Sequence, residues 1–360
     1  MRALLCLFAV TVGVAVYVHA PERSGRTTEA KAIAALEHEL DRLTAADDFS
    51  GTVIVAKHGV PIFAKAYNRA QRERGIANTL DTSFNLASMN KMFTAVAIMR
   101  LVQDGKLAVT DTVGKHLRDY PNRAIADHVT IHHLLTHTGG TGDIFERDYE
   151  DYRLELRTHD DYVKHFGERA PIHAPGQRFQ YSNYGFVLLG AIIERVTGKP
   201  YYDAVAELVY APARMSSTSA PLHDESIGAV GYTRFRTAEL VTNLDVLPYR
   251  GTAAGGGWST GGDLLRFANA LLGHELLDAK HTELVTTGKV NTGRGFKYAY
   301  GFGDLTIDGV RCIGHDGGFP GVNGALMMCE NGYTIATLSN FDPPEASRIA
   351  QFIATRLPAR

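Results

Sequence analysis

Hydrophobic positions near the start of the chain first follow a helical spacing and then form short unbroken runs. Residues three and four apart share one face of a helix, so this spacing predicts an amphipathic helix. The residues concerned are Ile33, Leu36, Leu40 and Leu43. The apolar and β-branched runs 51–57 and 60–67 are joined by His58-Gly59, and together they predict a β-hairpin.

Four further short apolar runs lie near the end of the chain. They cover residues 303–307, 310–313, 324–329 and 333–339. Asp308-Gly309 joins the first two runs and Asn331-Gly332 joins the last two, and both pairs are typical of tight hairpin turns. A helical pattern follows Pro343-Pro344, which predicts a last helix.

The middle of the chain has a different character. Residues 101–250 hold helical patterns separated by long loops, with few alternating runs. Strands at both ends and helices between them predict an α/β (α+β) fold, in which residues 30–100 and 251–360 form one antiparallel sheet flanked by helices. Residues 101–250 would be an inserted helical domain, and the cleft between the two parts is the expected binding site.

The first twenty residues predict a secretory signal peptide, followed by a linker over 21–29. Met1-Arg2 is a basic start, 3–18 is nearly all apolar, and a small-x-small exit precedes a polar stretch. Pro21 is unfavourable directly after a cleavage site, so an uncleaved membrane anchor is the alternative. Either interpretation predicts a periplasmic or secreted protein. The later apolar stretch 184–193 is too short to span a bilayer and predicts a buried helix.

The charges of the chain exclude one class of partner. The net charge is −2 over 360 residues and no basic run is present, so the sequence gives no electrostatic indication of nucleic-acid binding. A small ester, amide or peptide is the expected substrate. Membrane contact is expected only through the N-terminal segment, if it is not cleaved.

Two cysteines, Cys312 and Cys329, remain after removal of the predicted signal peptide. They flank a glycine-rich segment between two predicted strands. A hairpin turning near Gly318-Phe319 would place Cys312 nearer Met327 than Cys329. The sequence therefore predicts two buried thiols rather than a disulfide.

A serine and a lysine three residues apart stand at the start of a helical apolar run. Ser88 and Lys91 precede residues 92–98, and one helical turn would bring the hydroxyl and the amine together. The positive field of a helix N-terminus would also favour an alkoxide. Such a pair activates a serine without histidine, although the spacing alone is a weak signal.

Two further motifs follow in the chain. Tyr181-x-Asn183 precedes the apolar stretch 184–193, where Ser182 or Asn183 would also suit a helix cap. His315-x-Gly317 leaves an apolar strand and opens a glycine-rich segment whose N–H groups would be free to face a substrate. Similar patterns at Tyr120-Pro121-Asn122 and at Lys57, His137 and His165 lack this context.

In this order the three motifs resemble those of the serine β-lactamase and penicillin-binding-protein family. The resembled branch contains class C β-lactamases, D-alanyl-D-alanine carboxypeptidases, D-aminopeptidases and esterases. The resemblance implies a β-lactamase/transpeptidase-like fold with an inserted all-helical domain. It implies that Ser88 is the acyl-accepting nucleophile and that Lys91 shares its proton. Tyr181 would act as general base and then as acid.

The resemblance also assigns the supporting groups. Asn183 would orient Lys91 and the substrate carbonyl, and the backbone N–H groups of Ser88 and Gly318 would form the oxyanion hole. His315, Asp316 and Gly317 would contact the substrate. No cofactor is implied.

The third motif departs from that of penicillin-hydrolysing members, which carry Lys-Thr-Gly or Lys-Ser-Gly. Asp316 stands where a hydroxyl would bind a substrate carboxylate, and an anion there is expected to repel one. We therefore expect a serine hydrolase that acts through an acyl-enzyme on small esters or amides, with weak or no β-lactamase activity. His315 would make binding depend on pH. The alternatives are a D-amino-acid peptidase or DD-carboxypeptidase, and a slowly acylated sensor or scaffold.

Two other features have plainer explanations. His132, His133 and His137 suggest a metal site, but no Glu stands between them as in His-Glu-x-x-His, so no metal is expected. Trp258, the only tryptophan, would line the pocket or serve as a buried anchor. The pocket shape should depend on the loops over 143–169 and 222–250.

Overall fold

The computed structural model describes residues 25–223 and 228–360. The predicted signal peptide or anchor lies outside these residues. Helices occupy Glu29–Ala45 (α1), Asn90–Gln103 (α2), Val113–His116 (α3), Arg123–His128 (α4), Ile131–Leu135 (α5), Tyr149–Tyr152 (α6), His159–Phe166 (α7), Asn183–Thr197 (α8), Tyr201–Val205 (α9), Gly261–Leu272 (α10), Ala279–Thr286 (α11) and Glu345–Ala354 (α12). Turns of 3-10 helix lie at Ala87–Met89 and Leu244–Val246, and a π-helical turn lies at Ala206–Tyr210.

Strands alternate with these helices mainly at the two ends of the chain. They occupy Gly51–Lys57 (β1), Val60–Tyr67 (β2), Arg69–Gln71 (β3), Ile76–Ala77 (β4), Phe84–Asn85 (β5), Tyr232–Thr233 (β6), Val241–Thr242 (β7), Trp258–Ser259 (β8), Val290–Asn291 (β9), Lys297–Tyr298 (β10), Gly303–Ile307 (β11), Val310–Phe319 (β12), Val322–Cys329 (β13) and Tyr333–Ser339 (β14). The predicted hairpin β1–β2 and the predicted turns before β12 and β14 are confirmed.

One eight-stranded antiparallel sheet unites the two ends of the chain. Its strand order is β2-β1-β14-β13-β12-β11-β10-β9. β1 pairs with β14 from Gly51 opposite Ser339 to Lys57 opposite Tyr333, so an early strand lies beside the last one. The predicted fold class, an antiparallel sheet flanked by helices, is confirmed.

The two faces of the sheet carry separate cores. On one face α1 and α12 pack through Leu36, Leu40 and Ile353, which are fully buried with Ile335 of β14. On the other face α2, α8 and α10 form the larger core. Helix α2 is buried at eleven of its fourteen positions and therefore lies inside the molecule rather than at its surface. Its first turn thus begins at a fixed place beside the sheet.

The hairpin β12–β13 corrects the prediction for the cysteines. β12 continues through the glycines to Phe319, and the chain turns at Pro320-Gly321 instead of Gly318-Phe319. This register places Cys312 directly opposite Cys329, with a Cα–Cα distance of 4.0 Å, and the two form a disulfide. The prediction of two thiols was wrong because the glycine-rich segment is strand rather than loop.

Within residues 25–223 and 228–360, no helix combines the length and the apolar character that crossing a bilayer requires. The stretch 184–193 forms the buried part of α8, as its composition predicts.

Candidate active site

A cleft opens beside the start of α2. It is lined by Asn85, Ala87, Ser88, Ile144, Phe145, Tyr149, Tyr162, Tyr181, Asn183, Leu247, Pro248, Thr252, Ala254, Gly255, Gly256, Gly318 and Phe319. Residues from the two loops expected to shape the pocket, 143–169 and 222–250, form much of its wall. Most of the lining is apolar or aromatic.

Ser88 lies in the 3-10 turn Ala87–Met89 that leads into α2. Ala87 has φ 42°, an uncommon left-handed conformation for a residue with a side chain. Its N–H donates to Asn85 Oδ1 at 2.8 Å, and its carbonyl accepts from Gly256 N–H at 3.1 Å. These contacts hold a strained turn that presents Ser88 to the cleft, as is common at functional sites.

Lys91 is fully buried, and its Nζ faces three oxygen atoms. They are Ser88 Oγ at 3.2 Å, Asn183 Oδ1 at 2.8 Å and the Ala254 carbonyl. The two carbonyl oxygens only accept hydrogen bonds, so they take both N–H groups of a neutral amine. The remaining lone pair then faces the Ser88 hydroxyl, which is the arrangement that a proton acceptor needs.

The surroundings of Lys91 also favour the neutral amine. Burial lowers the pKa of Lys91 to about 7, while the carboxyl groups of Asp143 and Asp316 oppose the shift. Desolvation acts against the charged form of a buried amine, which explains the direction. A substantial fraction of Lys91 is therefore neutral near pH 7.

Tyr181 lies against Lys91 through its ring, whose centroid is 4.8 Å from Lys91 Nζ. Its hydroxyl is buried, and the side chain that it interacts with is Ser88, without full hydrogen-bond geometry. Burial raises the pKa of Tyr181 well above its usual value, and Ser88 opposes this shift. Tyr181 is thus a protonated phenol at neutral pH, suited to donating a proton.

Asn183 and Ser182 divide two tasks at the start of α8. The Ser182 hydroxyl accepts from Gly185 N–H at 2.9 Å and caps the helix. The Asn183 side chain does not cap the helix, and its amide oxygen accepts a hydrogen bond from Lys91. The helix-cap interpretation is therefore confirmed for Ser182, and the role of Asn183 in orienting Lys91 and the substrate stays a prediction that its contact with Lys91 supports.

Two residues near this motif were missed as site residues. The Asn183 amide nitrogen donates to both carboxylate oxygens of Asp143, at 3.0 and 3.2 Å. The His137 ring packs against Tyr181 at a tilt of 36° with centroids 4.1 Å apart, and its Nδ1 accepts from Ser182 N–H at 3.1 Å. No local sequence pattern marks Asp143, whereas His137 carried a signal as one of the His-x-Gly sequences.

His315 is buried behind the site. Its Nε2 is 3.0 Å from the Tyr298 hydroxyl. Burial lowers the pKa of His315 to about 3, and the Lys91 charge adds to the shift. Burial therefore favours the neutral imidazole, which argues against the predicted pH dependence of binding through His315.

Asp316 faces away from the cleft. Its side chain, 13% exposed, lines a second cavity together with Ser347 and Gln351 of α12. Neighbouring residues of a strand point to opposite faces, yet the two side chains approach each other here, with His315 Nδ1 3.9 Å from Asp316 Oδ1. Burial raises the pKa of Asp316 to about 7. Asp316 is therefore outside the lining of the cleft, although its charge still acts on Lys91, and the expected repulsion of a substrate carboxylate stays a prediction without a direct contact to support it.

Gly317 and Gly318 bring the strand backbone to the nucleophile. A Cβ on Gly317 would lie 2.2 Å from the Leu86 carbonyl oxygen, so only glycine permits this approach. Gly318 lines the cleft with Ser88. β11 pairs with β12 only as far as Gly314, so this part of the β12 edge has no β11 partner.

The suggested metal site is absent from the described part of the chain, where no group of three potential ligands occurs. His132 Nδ1 is 2.8 Å from the Tyr300 hydroxyl, and His133 completes a capping box with Thr130. Trp258 does not line the cleft. Its strand β8 pairs with β5, and the residue is only partly buried, so its role as a buried anchor stays a prediction.

The chain is similar to known proteins over most of its length. The family model described as Beta-lactamase matches residues 32–359. Penicillin-binding protein 4* of Bacillus subtilis (strain 168) is 28% identical over 318 residues, which are 81% of this chain and 68% of that protein. Esterase EstB of Burkholderia gladioli is 38% identical over 176 residues, which are 45% of this chain and 44% of the esterase.

Solved structures share the whole fold. A penicillin binding protein from Bacillus halodurans has a TM-score of 0.78 and 31% identity, covering 86% of this chain and 97% of its own. A D-stereospecific amidohydrolase from Streptomyces sp. has a TM-score of 0.76 and 26% identity, covering 88% and 96%. With the family model matching nearly all of the described residues, the chain belongs to the beta-lactamase family of serine hydrolases and penicillin-binding proteins.

Proposed function

We propose that this serine hydrolase cleaves small, uncharged esters or amides through an acyl-enzyme on Ser88. The position of Lys91 carries the proposal, because two carbonyl acceptors fix its N–H groups and leave its lone pair facing Ser88 Oγ at 3.2 Å. A pKa near 7 makes this amine an effective base at neutral pH.

The proposed reaction has two half-reactions. Lys91 takes the Ser88 proton as Oγ attacks the substrate carbonyl, and the N–H groups of Ser88 and Gly318 stabilise the oxyanion. The Tyr181 phenol protonates the leaving alcohol or amine as its bond to the carbonyl breaks, and the Lys91 ammonium returns a proton to the tyrosine. Water then attacks the acyl-enzyme by the same route and regenerates Ser88.

The lining of the cleft favours an apolar acyl group. Phe145, Tyr149, Tyr162 and Leu247 form walls near Ser88, and no Lys, Arg or His occurs among the described residues of the lining. A substrate carboxylate would therefore lose its hydration without gaining a cation. This argument gives a reason to expect weak or no β-lactamase activity that does not depend on repulsion by Asp316.

The similarities to Esterase EstB and to the D-stereospecific amidohydrolase support esters and amides, respectively, as candidate substrates. The second similarity keeps a D-amino-acid peptidase as the alternative function. The disulfide Cys312–Cys329 favours an oxidising compartment and so supports a periplasmic or secreted location.

A chromogenic ester tests the proposal. We expect sustained turnover of p-nitrophenyl phenylacetate by the purified protein and a loss of at least about 10⁴-fold in kcat in Ser88→Ala. Ser216→Ala, at an exposed serine, is the matched control. A single stoichiometric burst would indicate a slowly acylated sensor, the absence of any burst a scaffold, and activity that persists in Ser88→Ala a contaminant.

A further inference from the structure

We propose that Asp143 is a positioning residue that sets the orientation of the Asn183 amide and thereby directs Lys91 at Ser88. The inference rests on the proposed function, since it concerns how the same nucleophile is activated. Asp143 lies in the loop after α5, forty residues before Asn183, and does not itself line the cleft.

Two arrangements of the Asn183 side chain fill the same space, because its amide oxygen and nitrogen exchange places on rotation. The Asp143 carboxylate accepts hydrogen bonds and donates none. It therefore selects the rotation in which the nitrogen faces Asp143, at 3.0 and 3.2 Å. The amide oxygen is then left facing Lys91 Nζ at 2.8 Å.

The reverse rotation of the Asn183 amide is unfavourable both towards Asp143 and towards Lys91. It would place the amide oxygen against two carboxylate oxygens and the amide nitrogen against the Lys91 N–H groups. With no acceptor at Asn183, the Lys91 N–H groups would no longer be fixed and one would compete for Ser88 Oγ. The lone pair of Lys91 would then lose its direction towards the serine proton.

The carboxylate of Asp143 is itself held in place. Oδ1 accepts from Ile144 N–H at 2.6 Å and from Phe145 N–H at 3.3 Å, and Oδ2 is 3.4 Å from Asn183 N. Burial raises the pKa of Asp143, and the hydrogen bond from Asn183 opposes that shift. Ile144 and Phe145 also line the cleft, so Asp143 has a second possible role in shaping the wall.

The decisive experiment measures Ser88 activation directly. A fluorophosphonate forms an Oγ–P bond as fluoride leaves and Lys91 takes the serine proton, so its labelling rate reports this pair without any natural substrate. We expect Asp143→Asn to slow labelling about 10- to 100-fold, the usual effect of losing a hydrogen bond to a charged group. Asp143→Glu, which still only accepts hydrogen bonds, should retain more of the rate. Asp148→Asn, an exposed acid in the same loop, is the control.

A double-mutant cycle separates positioning from a purely structural role. In an Asn183→Ala background, Asp143→Asn should cause no further loss of labelling rate. With p-nitrophenyl acetate, Asp143→Asn should lower kcat and leave KM nearly unchanged. An equal loss in both backgrounds, or a raised KM that appears only with larger acyl groups, would overturn the inference in favour of wall shaping.

The outcomes also separate this inference from the proposed function. Labelling of Ser88 that depends on Asp143, without ester turnover, would support the inference and refute the hydrolase. Turnover and labelling that are both unaffected by Asp143→Asn would refute the inference and support the hydrolase. If the wild-type serine is not labelled at all, both fail. If Asp143→Asn does not fold, the rates of Asp143→Glu in the two Asn183 backgrounds decide.

Discussion

At the scale of single residues, the site depends on which groups can donate and which can only accept. Ser88, Lys91 and Tyr181 carry the proposed chemistry, but carbonyl oxygens of Asn183 and Ala254 decide where the Lys91 lone pair points. Burial moves the pKa values of Lys91 and Tyr181 in opposite directions, so near neutral pH the amine is partly unprotonated and can accept a proton, while the phenol stays protonated and can donate one.

The pH dependence of catalysis follows from this assignment. Lys91 must be neutral, so kcat/KM should be lost as the pH falls through about 7, the pKa that burial gives the amine. A Tyr181 phenolate as the base would instead place this limb far into the alkaline range. A profile of kcat/KM from about pH 5 to about pH 10 distinguishes the two, because this range includes the ordinary pKa values of histidine and tyrosine.

Asp316 titrates in the same range and needs its own control. Because its charge raises the pKa of Lys91, Asp316→Asn should move the acid limb to lower pH without removing it. Disappearance of the limb in this variant would show that Asp316, and not Lys91, is the titrating group.

Lys91→Met should lower kcat about 10²- to 10⁴-fold, the usual range for losing a general base.

Gly317 gives a prediction about backbone approach. Gly317→Ala would force its Cβ to within 2.2 Å of Leu86 O, moving β12 away from the turn that carries Ser88. We expect kcat to fall about 10²-fold, as for loss of an oxyanion-hole donor. Gly262→Ala on α10, whose added Cβ meets only ordinary contacts, should leave kcat unchanged. Equal behaviour of the two variants would contradict the close approach as a requirement of the site.

At the scale of elements, β12 combines functions that its sequence hides. One end carries the disulfide and the other brings Gly317 and Gly318 to the cleft. The hairpin β1–β2 and the helix α8 were predictable because turn residues and apolar periodicity act locally. The register of β12 was not, because glycines promote loops as readily as they permit close packing.

The disulfide should contribute stability rather than activity. Replacing Cys312 and Cys329 together with alanine should lower the free energy of unfolding by about 3 kcal/mol, as for a loop of similar length. Urea denaturation with and without dithiothreitol measures this, and the reductant should affect only the wild type. A large loss of ester turnover in the folded double variant would show that the bond also shapes the site.

At the scale of the whole molecule, distant segments meet in one cleft. The motif residues Ser88, Lys91, Tyr181 and Asn183 could be selected from sequence by their order and spacing. Asp143 and the Ala254 carbonyl could not, because their contacts cross 40 and 163 residues and involve a loop carboxylate and a backbone atom. The orientation of the Asp316 side chain could not be predicted either, because it depends on how far the strand β12 extends.

The apolar walls give a prediction for the intact enzyme. Benzylpenicillin should be turned over with a kcat/KM about 10- to 100-fold or more below that of p-nitrophenyl phenylacetate, because its carboxylate loses hydration in the cleft without gaining a cation. The methyl ester of the penicillin, which lacks this charge, should close part of the gap. Comparable rates for the free acid and the neutral ester would contradict the proposed selectivity.

Because β1 lies between β2 and β14, we expect this enzyme to complete its fold late during its synthesis. Ser88 and Lys91 are synthesised long before the strand that supplies Gly318. Until β14 is made, the edge of β1 in the N-terminal hairpin has no partner strand. Folding that depends on such distant partners is slow. Nascent chains cut short before residue 318 should therefore be catalytically silent, which would delay hydrolysis until the polypeptide is nearly finished.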